Sequence, residues 1–175
     1  IDWIGSIARE RHVLVTWHTS GIKTFEDLMN SKKKVKIGAT TINQINGTLP
    51  YLVKEALPNS PIDLVMGFKG TPSILLAMQR GEVDARSQSI TSLFGGSEKA
   101  YLKSGELIPL AQLTRVPSPA LPDVPSVMNY VKDPRWEAFF DFFLTPVAAS
   151  RPVAVPKGLP ADRLAALRKA FEAAV

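Results

Sequence analysis

The sequence predicts an α/β fold built around a parallel sheet, and two observations lead to that class. Short apolar and β-branched runs, typical of buried strands, alternate with amphipathic helical segments between residues 13 and 113. Glycine and proline stand at the boundaries of these runs rather than in low-complexity stretches. Because a strand, a helix and a second parallel strand are joined by a right-handed crossover, the alternation predicts helices on both faces of the sheet.

Five runs have the character of strands. The first is VLVT at 13–16, continuous and β-branched, as expected of a strand that is buried on both faces. The others are VKIGA at 35–39, IDLVM at 62–66, VDARSQSI at 83–90 and the run from Leu107 to Leu113.

Three helices are predicted between these strands. Thr24 is followed three residues later by a carboxylate, which is the pattern of a capping box. A second helix is predicted from Leu49, since apolar residues recur there at i, i+3, i+4 and i+7. Thr71 is the predicted cap of a third helix, with a proline in its first position and Gly81 at its end.

The last third of the chain has a different character. Residues 115–127 contain four prolines and are predicted to run extended along the surface. The aromatic segment at 136–143 is predicted to pack in a core or between lobes. RPVAVP at 151–156 has the pattern of a strand, and a final helix is predicted after Pro160.

Composition excludes several classes of function. The absence of cysteine excludes disulfides, thiolate metal sites and a cysteine nucleophile, and two histidines argue against a histidine-rich metal site. The net charge of +5 comes largely from Lys32–Lys34 with Lys36, which are predicted to form a solvated loop. No aromatic residues are interleaved with these lysines as a nucleic-acid surface would require, and the positive balance favours an anionic ligand.

Three polar segments follow predicted strands at the point where each strand ends. They are Thr40–Thr48, Gly67–Gly70 and Arg86–Ser89. In parallel sheets ligands bind outside the carboxyl ends of the strands. The sequence therefore predicts a ligand site where these segments converge.

Arg86 is the leading candidate within this site. A guanidinium offers a planar fork that matches a carboxylate, although an ion pair with Asp84 or Glu82 is the alternative role. The neighbouring Ser87, Gln88 and Ser89 are predicted to donate to ligand oxygens, or else to satisfy backbone groups at the strand end.

The other two segments supply the remaining candidates. The start of a helix presents unpaired N–H groups and a positive dipole end, which suits a carboxylate, although a capped loop without ligand is the alternative. The candidates in this loop are Thr40, Thr41, Asn43, Asn46, Gly47 and Thr48. In the turn, Phe68 either lines the site or packs in the core, Lys69 is more often solvated, and Gly70 allows a tight turn.

Four stretches in the same order resemble the substrate-binding proteins of tripartite tricarboxylate transporters, the Bug or TctC-like receptors. WIGSIARERHVLVTWHTSGIKTFEDL (3–28) is similar to their crossing strand and short helix, and GFKGTPSILLAMQRGEVDARS (67–87) to their turn, helix and following strand. LPDVPSV (121–127) is similar to their proline-rich return segment, and RPVAVPKGLPADRLAALRKAF (151–171) to their late strand and final helix. Many relatives have a tyrosine at the turn, where this chain has Phe68.

The resemblance implies a bilobal periplasmic-binding-protein fold with a ligand between two α/β lobes. Residues 21–110 would form most of the second lobe, and residues 1–20 and 111–175 would belong to the first. The first lobe's opening strand and glycine-rich ligand loop have no counterpart here. We therefore expect the chain to be a piece of a longer protein, with a second lobe that is largely complete and a partial first lobe.

The function implied by the resemblance is that of a non-catalytic periplasmic receptor. It would capture a small organic carboxylate and deliver it to membrane permease subunits, without a cofactor. A ligand-sensing domain of a regulator, which uses the same fold, is the alternative. An enzyme would need a nucleophile–base pair or a metal, and no such motif is present. Self-association of the truncated chain through an exposed sheet edge is a further expectation.

Overall fold

The computed structural model describes residues 1–7, 10–149 and 151–175. Of the three residues outside this part, Ala8 and Arg9 fall in the predicted crossing segment. The chain divides into two compact units: a smaller one from residues 1–10 and 143–175, and a larger one from residues 11–142. No helix in the described part is long and apolar enough to cross a membrane.

Strands and helices alternate over most of the chain. The strands are β1 (Asp2–Ser6), β2 (His12–Trp17), β3 (Val35–Gly38), β4 (Ile62–Val65), β5 (Ala85–Ser89), β6 (Leu107–Leu113) and β7 (Pro152–Val155). The α-helices are α1 (Phe25–Met29), α2 (Ile45–Ala56), α3 (Thr71–Gln79), α4 (Ile90–Gly95), α5 (Lys99–Ser104), α6 (Pro134–Ala148) and α7 (Ala161–Ala174).

The larger unit has a five-stranded mixed sheet in the order β4-β3-β5-β2-β6. β3 is parallel to β4 and β5, whereas β2 is antiparallel to both of its neighbours, β5 and β6. The predicted all-parallel sheet is therefore wrong at β2. Every residue of β2 is buried, so its apolar run has the same sequence character as a central parallel strand and does not reveal its direction.

The direction of β2 has a consequence for the ligand site. Because β2 runs opposite to β5, its first residue pairs with the last residue of β5, His12 with Ser89. The start of β2 therefore lies at the same edge of the sheet as the carboxyl ends of β3, β4 and β5.

The core of the larger unit forms where β2 meets α3 and α4. Its buried members include Val13, Val15 and Trp17 of β2 and Ile74, Ala77 and Met78 of α3, all at most 5% exposed. The helix α2 packs across β4 and β5. Burial of one fully apolar side chain contributes roughly 1.5–3 kcal/mol, so this cluster holds α3 against β2.

The helix starts differ in part from the prediction. The capping box at Thr24 is confirmed: Thr24 Oγ1 accepts from the amide of Asp27 at 3.0 Å, and the Asp27 carboxylate accepts from the amide of Thr24 at 2.9 Å. However, α2 begins at Ile45 rather than Leu49, since its first turn is mostly polar and lies outside the apolar periodicity. The N-cap of α3 is Gly70, so Thr71 is its first helical residue.

The larger unit runs from residue 11 to residue 142, and the predicted lobe boundaries near residues 20 and 110 stay a prediction. β2 lies between β5 and β6, which places it in the larger unit. Residues 111–142 join the same unit because β6 extends to Leu113 and holds the proline-rich segment.

The proline-rich segment is held on β6 by one buried amide. Gln112 is fully buried, and its Nε2 donates to the carbonyl oxygens of Leu121 and Val124, both at 2.9 Å. Its Oε1 accepts from the amide of Ser118 at 2.7 Å. The expected surface segment is therefore partly wrong, because Ser118 and Leu121 are buried where the segment turns toward Gln112.

The smaller unit contains an antiparallel pair, β1 with β7, against which α7 packs. Gly5 is required by this contact, because a Cβ there would lie 2.2 Å from the ring of Phe171. Arg168 donates from Nε and Nη2 to the carbonyl oxygen of Trp3, at 3.0 and 2.8 Å. The predicted strand at 151–156 and the helix after Pro160 both form.

We predict that Gln112→Ala lowers the free energy of unfolding by about 2–4 kcal/mol, because it leaves two carbonyls and an amide buried without partners and opens a cavity. Urea unfolding measures the change. The matched control is Gln79→Ala, an exposed glutamine at the end of α3, which should stay within about 0.5 kcal/mol of the parent. Equal losses in the two variants would contradict the role of Gln112.

Candidate cavity at the end of β5

A cavity of about 240 Å³ lies at the carboxyl end of β5, within the larger unit. Its walls are formed by His12, Gln44, Ile45, Asn46, Thr71, Ser87, Gln88, Ser89 and Ser92. Four of these residues were predicted from the sequence: Asn46, Ser87, Gln88 and Ser89. The cavity therefore lies at the sheet edge where polar segments were expected to converge.

Five elements build the walls of the cavity. The strand β5 contributes Ser87, Gln88 and Ser89, and the antiparallel β2 brings its first residue, His12, alongside. The first turn of α2 forms one side. The start of α3 contributes Thr71, and α4 completes the wall.

The loop before α2 uses most of its polar groups internally. Thr40 Oγ1 lies 2.9 Å from Gln44 Oε1 and 2.8 Å from Asn46 Oδ1, which orients both amides at the helix start. The amides of Gly47 and Thr48 both donate to the carbonyl of Gln44 at 2.8 Å. Of the predicted residues in this loop, Asn46 alone lines the cavity.

The remaining loop candidates lie elsewhere. Thr41 and Asn43 are exposed and outside the cavity wall. Thr48 Oγ1 donates to the carbonyl of Ile42 at 2.7 Å. A Cβ at Gly47 would meet the carbonyl oxygen of Thr41 at 2.2 Å, so glycine there permits close packing of the loop on α2.

The turn after β4 does not reach the cavity either. Gly67 adopts a φ of +102°, and its amide donates to the carbonyl of Thr40 at 3.0 Å, which ties the turn to the end of β3. Phe68 packs partly against the core, whereas Lys69 is exposed. The amide of Gly70 donates to Ser73 Oγ at 3.3 Å within the start of α3.

Arg86 is fully buried and does not line the cavity. Its Nη1 donates to the carbonyl of Thr71 at 2.9 Å. Its Nη2 donates to the carboxylate of Glu98 and to Oε1 of Gln88. Burial lowers the pKa of Arg86 from its ordinary value, while the hydrogen bond and the charge of Glu98 counteract that shift.

The two carboxylates expected as alternative partners of Arg86 are engaged elsewhere, so that prediction is wrong. Asp84 accepts the backbone amide of Lys36 at 2.8 Å. Glu82 lies 4.0 Å from Arg80, and both side chains are largely exposed. Side chains alternate between the two faces of a strand, so Asp84 and Arg86 share a face, yet that spacing alone did not bring them together.

The side chain of Gln88 has only one of its two polar ends hydrogen-bonded. The residue is 4% exposed, and its Oε1 is occupied by the guanidinium of Arg86. Its Nε2 has no hydrogen-bond partner among the described residues. A buried NH₂ group without a partner costs roughly 1–3 kcal/mol of stability.

The chemistry of the cavity is that of hydrogen bonding. Nδ1 of His12 lies 3.5 Å from Ser87 Oγ, longer than the roughly 2.6–3.2 Å at which a base takes a proton from a nucleophile. Within the described ranges, no group of three or more His, Cys, Asp or Glu side chains is placed to hold a metal ion. The wall as described contains no carboxylate.

Sequence reasoning missed several residues of this region. His12, Gln44, Ile45, Thr71 and Ser92 line the cavity, and Glu98 pairs with Arg86. His12 could have been found by recognising that β2 runs antiparallel. Glu98 carried no local signal, because twelve residues and the helix α4 separate it from Arg86.

No protein-family model matches the sequence, and no curated protein matches it. Solved structures do. A TctC solute-binding protein from Polaromonas has a TM-score of 0.63 and 18% identity, over 98% of this chain and 55% of that one. An R. palustris protein with adipate has a TM-score of 0.60 and 14% identity, over 98% of this chain and 66% of that one. MatC from Rhodopseudomonas palustris, with bound malate, has a TM-score of 0.55 and 13% identity, over 98% of this chain and 67% of that one.

At these identities the likeness is one of fold. The chain has the α/β fold of periplasmic binding proteins of the TctC type, and it spans about half to two thirds of the length of the structures it matches. The predicted fold class is confirmed, and the resemblance to TctC-like receptors is confirmed at the level of the fold.

We predict that Glu98→Ala lowers the free energy of unfolding by about 3–5 kcal/mol, because it leaves the buried guanidinium of Arg86 without its counter-charge. Urea unfolding checks this. The matched control is Glu82→Ala, which removes an exposed carboxylate beside Arg80 and should change stability by less than about 0.5 kcal/mol. A loss at residue 98 as small as that of the control would mean that Arg86 does not depend on Glu98.

Proposed function

We propose that this chain belongs to a periplasmic solute-binding receptor that captures a small organic carboxylate for a tripartite tricarboxylate-type transporter. The observation that carries the proposal is a polar cavity at the strand ends, whose wall includes Asn46, Ser87 and Ser89 and no carboxylate among the described residues. In α/β sheets this edge is where ligands bind.

The character of the wall favours an anion. The start of the twelve-residue helix α2 lies in the cavity wall, and the N-terminal end of a helix carries the positive end of its dipole. The hydroxyl groups of Ser87, Ser89 and Ser92 add polar groups to the same wall. With no carboxylate in the described wall, an anion meets donors without repulsion.

The size of the cavity favours a small solute. Its volume of about 240 Å³ lies below the roughly 300–1,000 Å³ of sites for drug-sized ligands. Two proteins of the same fold hold adipate and malate, which are small dicarboxylates. This supports a compound of that class as the solute; a periplasmic location and membrane permease subunits as partners are parts of the same proposal.

The proposed activity is reversible capture without turnover. The separation of His12 from Ser87 does not favour a nucleophile–base pair. A receptor needs only a polar cavity that accepts and releases its solute.

We predict that the intact protein binds adipate or malate and that Asn46→Ala weakens binding about tenfold, or about 1.4 kcal/mol, by removing a polar group from the cavity. Calorimetric titration measures the affinities. Asn43→Ala, in the same loop but outside the wall, is the matched control and should bind like the parent. At 100 times its dissociation constant the ligand should stabilise the parent by about 2.7 kcal/mol.

Two outcomes would overturn the proposal. One is the absence of binding of either compound by the intact protein. The other is protein-dependent consumption of the compound, followed by mass spectrometry of the ligand after incubation, since a receptor returns its ligand unchanged.

A further inference from the structure

We propose that His12 couples solute binding to the uptake of a proton: its imidazole is protonated from solvent when a carboxylate occupies the cavity, so that affinity rises as the pH falls. The inference rests on the proposed function, because it concerns the same cavity. It adds a regulatory property to that function, since the pH then determines how tightly the solute is held.

Strand pairing places His12 in the cavity wall. As the first residue of β2 it pairs with Ser89, the last residue of β5, and its Nδ1 lies 3.5 Å from Ser87 Oγ. All three residues line the cavity. The imidazole is therefore held at the carboxyl end of β5, beside the hydroxyl groups of the wall.

Among the residues described for the wall, His12 alone can change its charge near neutral pH. The others carry amide, hydroxyl or aliphatic side chains. A histidine ordinarily titrates near pH 6.5, whereas carboxyl groups ordinarily titrate near pH 4. The wall therefore changes from neutral to singly positive in a pH range in which a carboxylate solute stays ionised.

The charge on β5 belongs to an ion pair outside the cavity. Arg86 is paired with the carboxylate of Glu98, and neither residue lines the cavity. Side chains alternate along a strand, so Arg86 projects from the face of the sheet opposite to that of Ser89 and His12. Because the two charges of the pair largely cancel, their effect on an imidazole across the sheet is small.

The charged groups on the other surrounding elements also lie outside the described wall. They are Glu10 and Arg11 before β2, Lys54 and Glu55 near the far end of α2, Lys69 before α3, and Arg115 after β6 with its partners Glu137 and Asp141 on α6. Glu10 is the acidic residue closest to His12 in sequence, and its carboxylate lies 4.0 Å from Arg151. A carboxylate solute would therefore bring a negative charge into the cavity that the described wall does not supply.

A bound carboxylate favours the protonated imidazole. Opposite charges within about 4–6 Å raise the pKa of a histidine, and a cavity of about 240 Å³ keeps a solute close to its walls. His12 is 6% exposed, so a nearby charge acts on it largely through protein rather than through bulk water, which strengthens the interaction.

The sign of the pH dependence follows from linkage. The factor by which the solute raises the proton affinity of His12 equals the factor by which protonation raises the affinity for the solute. Binding is tightest at low pH, where the imidazole is protonated with or without the solute. It weakens as the pH rises through the pKa of the histidine, and a shift of one pKa unit corresponds to about a tenfold change in affinity.

The test is calorimetric titration of the intact protein with adipate and malate from about pH 6 to about pH 8. We expect the affinity to be about tenfold higher at the lower pH, and titrations in two buffers with different enthalpies of ionisation to show proton uptake on binding. In His12→Asn, whose amide stands in for Nδ1 beside Ser87, the pH dependence and the proton uptake should disappear. The matched control is His18→Asn, an exposed histidine beyond the far end of β2, which should keep the pH dependence of the parent.

Nuclear magnetic resonance of the two histidine rings gives a second measurement on the parent itself, with His18→Asn assigning the signals. Saturating adipate or malate should raise the titration midpoint of His12 by about one pH unit and leave that of His18 unchanged. If the parent binds neither compound, the proposed function fails, and this inference with it. If the parent binds and the midpoint of His12 does not move, the inference alone is wrong. Persistence of the pH dependence in His12→Asn would also overturn it.

Discussion

The buried charge of Arg86 is the constraint on which the region around the cavity depends. Removing a cation from water costs several kcal/mol even after the protein relaxes around it, so the guanidinium must find partners. It finds them on three different elements: the first residue of α3, the strand β5 and the N-cap of α5. A single side chain thereby ties both flanking helices to the end of β5. The polar wall has a defined shape because this charge allows few alternatives.

The antiparallel course of β2 is the second condition for the site. An all-parallel sheet would place the start of β2 at the opposite edge, far from the helix starts. Because β2 runs antiparallel to β5, its first residue pairs with the last residue of β5. His12 therefore lines the cavity. Its apolar residues Val13 and Val15 meanwhile pack against α3, on the side of the sheet that also holds Arg86 and Gln88. One strand therefore contributes to the core and to the cavity.

The sequence predicted those features whose cause is local. The capping box at Thr24 and the strands β3, β4 and β6 follow from patterns within a few residues, and all of them form. The start of α2 was misjudged because its first turn carries polar groups that serve the site rather than the core. The predicted partner of Arg86 was wrong because Asp84, although close to Arg86 in sequence, does not contact its guanidinium in the structure. The carboxylate of Asp84 instead accepts a hydrogen bond from the backbone amide of Lys36, in the neighbouring strand β3.

The chemistry of the candidate site shows the same difference between features with a local cause and features that depend on the fold. The prediction that the guanidinium of Arg86 binds a ligand carboxylate rested on the residue type alone. The residue type determines the charge of a side chain but not whether that side chain is exposed. Because Arg86 is buried, its charge does not line the cavity. The polar groups that do line it are uncharged dipoles: amides, hydroxyl groups and the start of a helix. Interactions of an anion with such dipoles are weakened less by salt than those between exposed charges, and they fall off more steeply with distance. A cavity of this kind discriminates by the positions of a ligand's oxygen atoms, which suits the proposed capture and release of a small solute.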